Sequence, residues 1–149
     1  MTDLEYSVTT KFSRGMGRSF CKEAVIPLDA ALEGRADAFN PAELLLAAIS
    51  ACMTKGALRA AKLNNIEIRA IEARLKGFRR DAPPGMRRVE YELLIDTDAP
   101  DRRLELIHRN VLKFGTVTNT VAAGTELTGH VGRLEPKGHG EKPVGAMQC

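Results

Sequence analysis

Apolar and polar side chains alternate from Leu4 through Tyr6 and Val8 to Phe12, and a period of two marks a half-buried strand. Gly15-Met16-Gly17 supplies turn chemistry, and Arg18-Ser19-Phe20-Cys21 begins a second strand, so the chain is expected to open on a hairpin. Periodicity fades between Pro27 and Phe39, a stretch that contains Gly34 and is read as a strand end followed by a loop. The pattern then becomes helical. Asn40 is a good N-cap, Pro41 suits the first helical position, and Glu43 can reach back to the cap N–H. From Leu44 to Leu63 only Gly56 departs from strong helix formers, and Asn64-Asn65 ends the run. At ~1.5 Å per residue this helix is about 33 Å long, which makes it a central element. Ala47, Ala48, Ser50, Ala51, Gly56, Ala57, Ala60 and Ala61 leave little bulk around it, so other elements can approach closely.

Alternation returns from Ile66 to Leu75 and from Arg88 to Asp96, on either side of Asp81-Ala82-Pro83-Pro84-Gly85, predicting a second hairpin. Leu104, Ile107, His108, Val111 and Leu112 fall at helical spacing within Asp101–Phe114, and Gly115 breaks or bends that helix. The β-branched stretch 116–121 suits a further helical turn or an extended segment, and Thr125–Val131 reads as a strand. The remainder, 135–149, is proline- and glycine-containing with little apolar content and is expected to be a mobile tail carrying Cys149. Two hairpins separated by a long helix, then a helix and a strand, give an α+β pattern with helices gathered on antiparallel sheet.

Composition narrows the function classes. A chain of 149 residues is one domain by size, assigned to 1–134 ahead of the tail. A net charge of +3 is too small and dispersed for a nucleic-acid footprint. The pairs Arg79-Arg80 and Arg87-Arg88 flank the second turn and are read as its solvated tip. Acids at Asp3 and Glu5 do not suit a signal peptide, and no apolar stretch is judged to reach the ~20 residues of a membrane span, so a cytoplasmic protein without a membrane partner is expected. Cys21, Cys52 and Cys149 show no metal-ligand spacing and no disulfide framework. No metal or cofactor is expected, and phosphate-loop, dinucleotide and nucleophile-elbow motifs are absent.

The run Pro41-Ala42-Glu43-Leu44-Leu45-Leu46-Ala47-Ala48-Ile49-Ser50-Ala51-Cys52 resembles the nucleophile helix of the OsmC/Ohr thiol peroxidases, in the branch with Pro-x-Glu-Leu-Leu-Leu-Ala-Ala before its cysteine. The likeness in element order extends from about Leu4 to Arg133. It implies an intertwined homodimer whose antiparallel sheets wrap the long central helices. It also implies that Cys52 attacks hydroperoxides in an oxidative-stress response and that an external thiol or dithiol is the reductant. An arginine of the first hairpin, Arg14 or Arg18, with Arg35 as a third candidate, would lower the pKa of Cys52. A carboxylate near the helix start would hold that arginine. Members with the peroxidase motif commonly carry an acid where Ala42 stands here, leaving Glu43 as its neighbour. The second, resolving cysteine would stand at Gly115 and is missing.

Physical chemistry tests these implied roles. A peroxidatic cysteine must be a thiolate, whereas a free one with pKa near ~8.5 is mostly protonated at neutral pH. Cys52 lies about three turns into its helix, beyond useful reach of the dipole, and burial would oppose ionisation, so a cation must come from elsewhere. Glu43 lies nine residues before Cys52, roughly 13 Å up the axis and half a turn around it. It cannot touch the thiol, and its capping role is favoured over a catalytic one. Without a thiol at 115, a sulfenic acid on Cys52 would be resolved by an external thiol, by Cys21 or by Cys149. His108 reads as a hydrogen-bonded core or interface residue, while His130 and His139 have no ligand pattern around them. The competing function is a catalytically degenerate dimer of the same fold that binds an apolar or thiol-containing small molecule, with Cys52 a buried structural residue.

Overall fold

The computed structural model describes residues 3–135; the expected tail beyond Glu135, with His139 and Cys149, lies outside the described residues. The described residues divide into two compact units, one up to Ile49 and one from Ser50 onward, and α1 (Pro41–Leu63) runs across their boundary.

The first unit holds an antiparallel sheet in the order β1 (Thr9–Ser13), β2 (Met16–Cys21), β3 (Ala24–Leu28). Arg14 and Gly15 take φ of 51° and 74°, the pair of left-handed residues that a tight two-residue hairpin needs to match strand twist. The strand expected from Leu4 begins only at Thr9. β3 was legible only as a strand end, because its turn at Lys22 (φ 55°) and Glu23 uses neither glycine nor asparagine. Gly17 has a steric reason: a Cβ there would lie 3.0 Å from that of Ala30, so the chain leaving β3 crosses close over β2. Asp29 N–H then donates to Phe39 C=O at 2.9 Å, leading into the helix cap.

Both ends of α1 are specified locally. Asn40 Oδ1 accepts the Glu43 N–H and Glu43 Oε2 accepts the Asn40 N–H, each at 2.9 Å, a reciprocal capping box. At the far end Asn65 is left-handed (φ 53°), and Ile66 N–H donates to Ala61 C=O at 2.9 Å. With Asn65 N–H directed to Lys62 C=O, this is a Schellman stop with asparagine where glycine is commonest. By length and apolarity α1 alone among the described helices could cross a membrane, which corrects the expectation that no stretch was long enough. Its Met53, Ala57, Ala60 and Ala61 are instead core residues of a folded domain.

The second unit contains β4 (Ala70–Asp81), β5 (Pro84–Asp96), α2 (Asp101–Phe114), α3 (Thr116–Ala122) and β6 (Glu126–Arg133). β5 is central. Its Val89, Tyr91, Leu93 and Ile95 are buried on one face. The opposite face carries ion pairs, including Arg88–Glu90 at 2.8 Å and Arg74 to Glu72 and Glu92 at 2.6 and 3.6 Å. β4 and β5 form the expected antiparallel hairpin, although the segment 66–69 precedes the strand proper. Arg69 instead bridges Asp96 and Asp98 at 2.6 and 2.8 Å, latching the base of the hairpin. The stretch after Gly115 is helical. β6 departs from the all-antiparallel expectation by pairing parallel to β5, with Tyr91 opposite Gly129. Two helices between the strands carry the chain back to the starting end of β5, so the returning strand must run the same way.

Candidate functional site around Cys52

The second half of α1 lies against α2, and the contacts fix their register. Arg103 Nη1 donates to Asn64 C=O at 2.6 Å near the end of α1. Eight residues back, a Cβ at Gly56 would meet Val111 Cγ2 at 3.5 Å, eight residues on from Arg103. Four further back, Cys52 Sγ lies 3.3 Å from the Cβ position of Gly115, four on from Val111. Equal steps in opposite directions define two antiparallel helices, with Gly56 the small residue at the crossing. The small-residue character of α1 thus has its use in this approach.

Cys52 is half-buried, and its sulfur faces the α2–α3 junction. Gly115 is the last acceptor before α3: its C=O takes the Asn119 N–H and the Thr118 hydroxyl, both at 2.9 Å. Thr118 is 1% exposed, and its Oγ1 sits 2.1 Å from where a Cβ on residue 115 would be. Sequence reasoning identified Cys52 and Gly115 but missed Thr118. A threonine three residues after a helix-breaking glycine is the available signal, since its hydroxyl can bond back to the glycine carbonyl.

The other candidates are placed as follows. Arg14 occupies the β1–β2 turn and Arg18 lies in β2; both are exposed, and neither side chain has a hydrogen bond or ion pair among the described residues. Arg35 is committed to Asp37 through paired bonds of 2.9 and 2.8 Å, which hold the Asp37 carboxyl below its usual range. Glu43 is in the capping box, as its spacing indicated. Asp29, not singled out from sequence, has a buried carboxylate oxygen without a partner among the described residues. Cys21 is a half-buried free thiol at the end of β2. His108 Nε2 lies 2.8 Å from Tyr91 Oη with the rings edge to face. Burial pushes the His108 pKa down, so it is the expected core histidine. His130 is exposed, 3.8 Å from Glu92. No cluster of potential metal ligands occurs among the described residues.

Solved structures place this architecture in a known fold. An OsmC-like protein from Mycoplasma pneumoniae superposes with a TM-score of 0.80 at 20% identity, covering 89% of this chain and 100% of its own. The organic hydroperoxide resistance protein OhrB of Bacillus subtilis matches with 0.62 at 18% identity, covering 86% and 98%. An organic hydroperoxide resistance protein from Elizabethkingia anophelis gives 0.69 at 18% identity, covering 89% and 99%. No curated protein matches by sequence. The family model described as OsmC-like protein matches residues 34–129, which include Cys52, Gly115 and Thr118, and the chain belongs to that family.

Proposed function

We propose that this protein is a thiol-dependent hydroperoxide reductase that acts through Cys52 alone, as part of an oxidative-stress response in the cytoplasm. The observation that carries the reading is the placement of Cys52 Sγ against the α2–α3 junction, 3.3 Å from the Cβ position of residue 115. A reactive cysteine of the family faces its resolving partner at that junction, according to the sequence resemblance. The Cys52 thiolate attacks a peroxide oxygen; the S–O bond forms, the O–O bond breaks, and the departing alkoxide takes a proton to leave as an alcohol. An external thiol attacks the resulting sulfenic acid, giving a mixed disulfide and water, and a second external thiol releases Cys52 as a thiol and departs in an external disulfide. Organic hydroperoxides are the favoured substrates.

The activating cation is Arg14 or Arg18, because Arg35 is already paired with Asp37. Glu43 serves this arginine only through the carboxylate oxygen that the cap leaves over. The active form is a homodimer. Phe12, Val25, Ile26 and Phe39 in the first unit, and Leu58 and Leu63 on α1, are large apolar side chains between 45% and 70% exposed. A second copy would cover them.

The missing thiol at 115 favours one competitor, the binding module, and a single measurement decides between the two. In Cys21→Ser/Cys149→Ser protein, Cys52 is oxidised by cumene hydroperoxide and by hydrogen peroxide, with sulfenic-acid trapping and mass spectrometry. Fast, saturable, peroxide-selective oxidation that falls in Arg14→Ala or Arg18→Ala supports the enzyme. Oxidation no faster than that of a free thiol leaves the binding module, whose ligand native mass spectrometry would reveal.

A further inference from the structure

We propose that Thr118 is the residue that closes position 115 of the α2–α3 junction and so denies Cys52 a resolving side chain there. The resolving role rests on the reductase reading; the steric part stands without it. In a disulfide, the Cβ of one cysteine lies about 3 Å from the sulfur of the other, given an S–S bond of ~2.05 Å. The Cβ position of residue 115 is 3.3 Å from Cys52 Sγ, close to that distance. The backbone therefore keeps bonding distance at a place where the sequence has no sulfur.

Thr118 fills the gap. A Cβ on residue 115 would lie 2.1 Å from Thr118 Oγ1, well inside contact distance, and 2.8 Å from Val111 C=O. The carbonyl is backbone of α2, so even its small shift is costly, whereas the hydroxyl lies far deeper inside contact distance and would have to leave altogether. It is not free to leave: Thr118 is 1% exposed, and its hydroxyl donates to Gly115 C=O at 2.9 Å. Turning it away would strand a buried donor. Gly115 and Thr118 therefore act as a pair, glycine leaving the volume and threonine occupying it. Any side chain at 115, a resolving cysteine included, is excluded while Thr118 remains. The sulfenic acid on Cys52 then has no partner at the α2–α3 junction, and the thiol that attacks it, releasing water, comes from elsewhere.

The test compares Gly115→Cys with Gly115→Cys/Thr118→Ala, both in Cys21→Ser/Cys149→Ser protein. The oxidant is diamide, which takes the two thiol hydrogens and leaves a disulfide. Closure is followed as the loss of two hydrogens by intact-mass spectrometry. The pair with Thr118→Ala should close at least about tenfold faster. Equal rates overturn the assignment; closure in neither shifts the block to the Val111 carbonyl and overturns it equally. Should Gly115→Cys fail to fold, Gly115→Ala, Thr118→Ala and their combination carry the same test. Thr118→Ala should restore much of the thermal midpoint that Gly115→Ala loses, and additive losses refute the coupling. Diamide needs no peroxidatic reactivity, so a native protein inert to peroxide would sink the reductase reading and leave this result intact.

Discussion

Asn40 and Glu43 each satisfy a backbone donor of the other, so their energetic roles can be separated from any chemical one. Asn40→Ala removes the Oδ1 acceptor from the Glu43 N–H and should cost about 1 kcal/mol in urea unfolding. Glu43→Gln keeps an oxygen for the Asn40 N–H and should unfold within roughly 0.5 kcal/mol of wild type. A loss of peroxide turnover in Glu43→Gln at unchanged stability would identify a catalytic carboxylate, while unchanged turnover would leave only the cap. His108 supports a second residue-level prediction. Burial lowers its folded pKa from 6.5, Glu105 opposes this and His130 adds to it. The unfolded chain therefore binds the proton more readily. The stability that neutral His108 contributes is complete above pH 6.5 and is lost as pH falls from there through the lower folded value. Melting temperatures between pH 7.5 and pH 5 should fall less steeply in His108→Gln than in wild type.

Two glycines in regular elements lead to opposite expectations. At Gly56 a methyl group would meet Val111 at 3.5 Å, ordinary contact, so Gly56→Ala should stabilise α1 by up to about 1 kcal/mol through helix propensity. Gly56→Leu should force the helices apart and destabilise. At Gly129 a methyl group would lie 2.1 Å from Tyr91 C=O and 2.6 Å from its ring, so Gly129→Ala should cost about 3 kcal/mol, read by denaturant unfolding. Both residues look alike in the sequence, where a glycine inside an element signals only close approach or a weak point. Legibility followed the same division. The caps of α1, the β4–β5 hairpin and the break at Gly115 are local chemistry and could be read from neighbouring residues. β3, the direction of β6 and the role of Thr118 depend on what lies opposite, which no window of sequence reports.

At the scale of the whole molecule, apolar side chains in both units are left exposed among the described residues, from Phe12, Val25 and Ile26 to Leu58 and Leu63. Light scattering on the eluted peak should give twice the chain mass of 16.2 kDa. Ile26→Glu should shift that peak toward monomer, and an unshifted monomeric wild type would refute the dimer. The family was legible from one helix because its helix formers, caps and cysteine all fall within a single continuous stretch. Thr118 was not, because it reaches the Cys52–Gly115 contact from α3, more than fifty residues away from Cys52 in sequence.

The parallel pairing of β6 also sets an order of events in time. β4 and β5 meet through a short turn and can zip together from Asp81 and Pro84 outward. β6 must wait until the chain between Asp96 and Glu126 has closed a loop, and closing it costs entropy before any ladder bond repays it. In pulse-labelling hydrogen exchange, amides shared by β4 and β5 should therefore gain protection before those linking β5 and β6. Until then, the hydrogen-bonding edge of β5 that will receive β6 stands open to other chains.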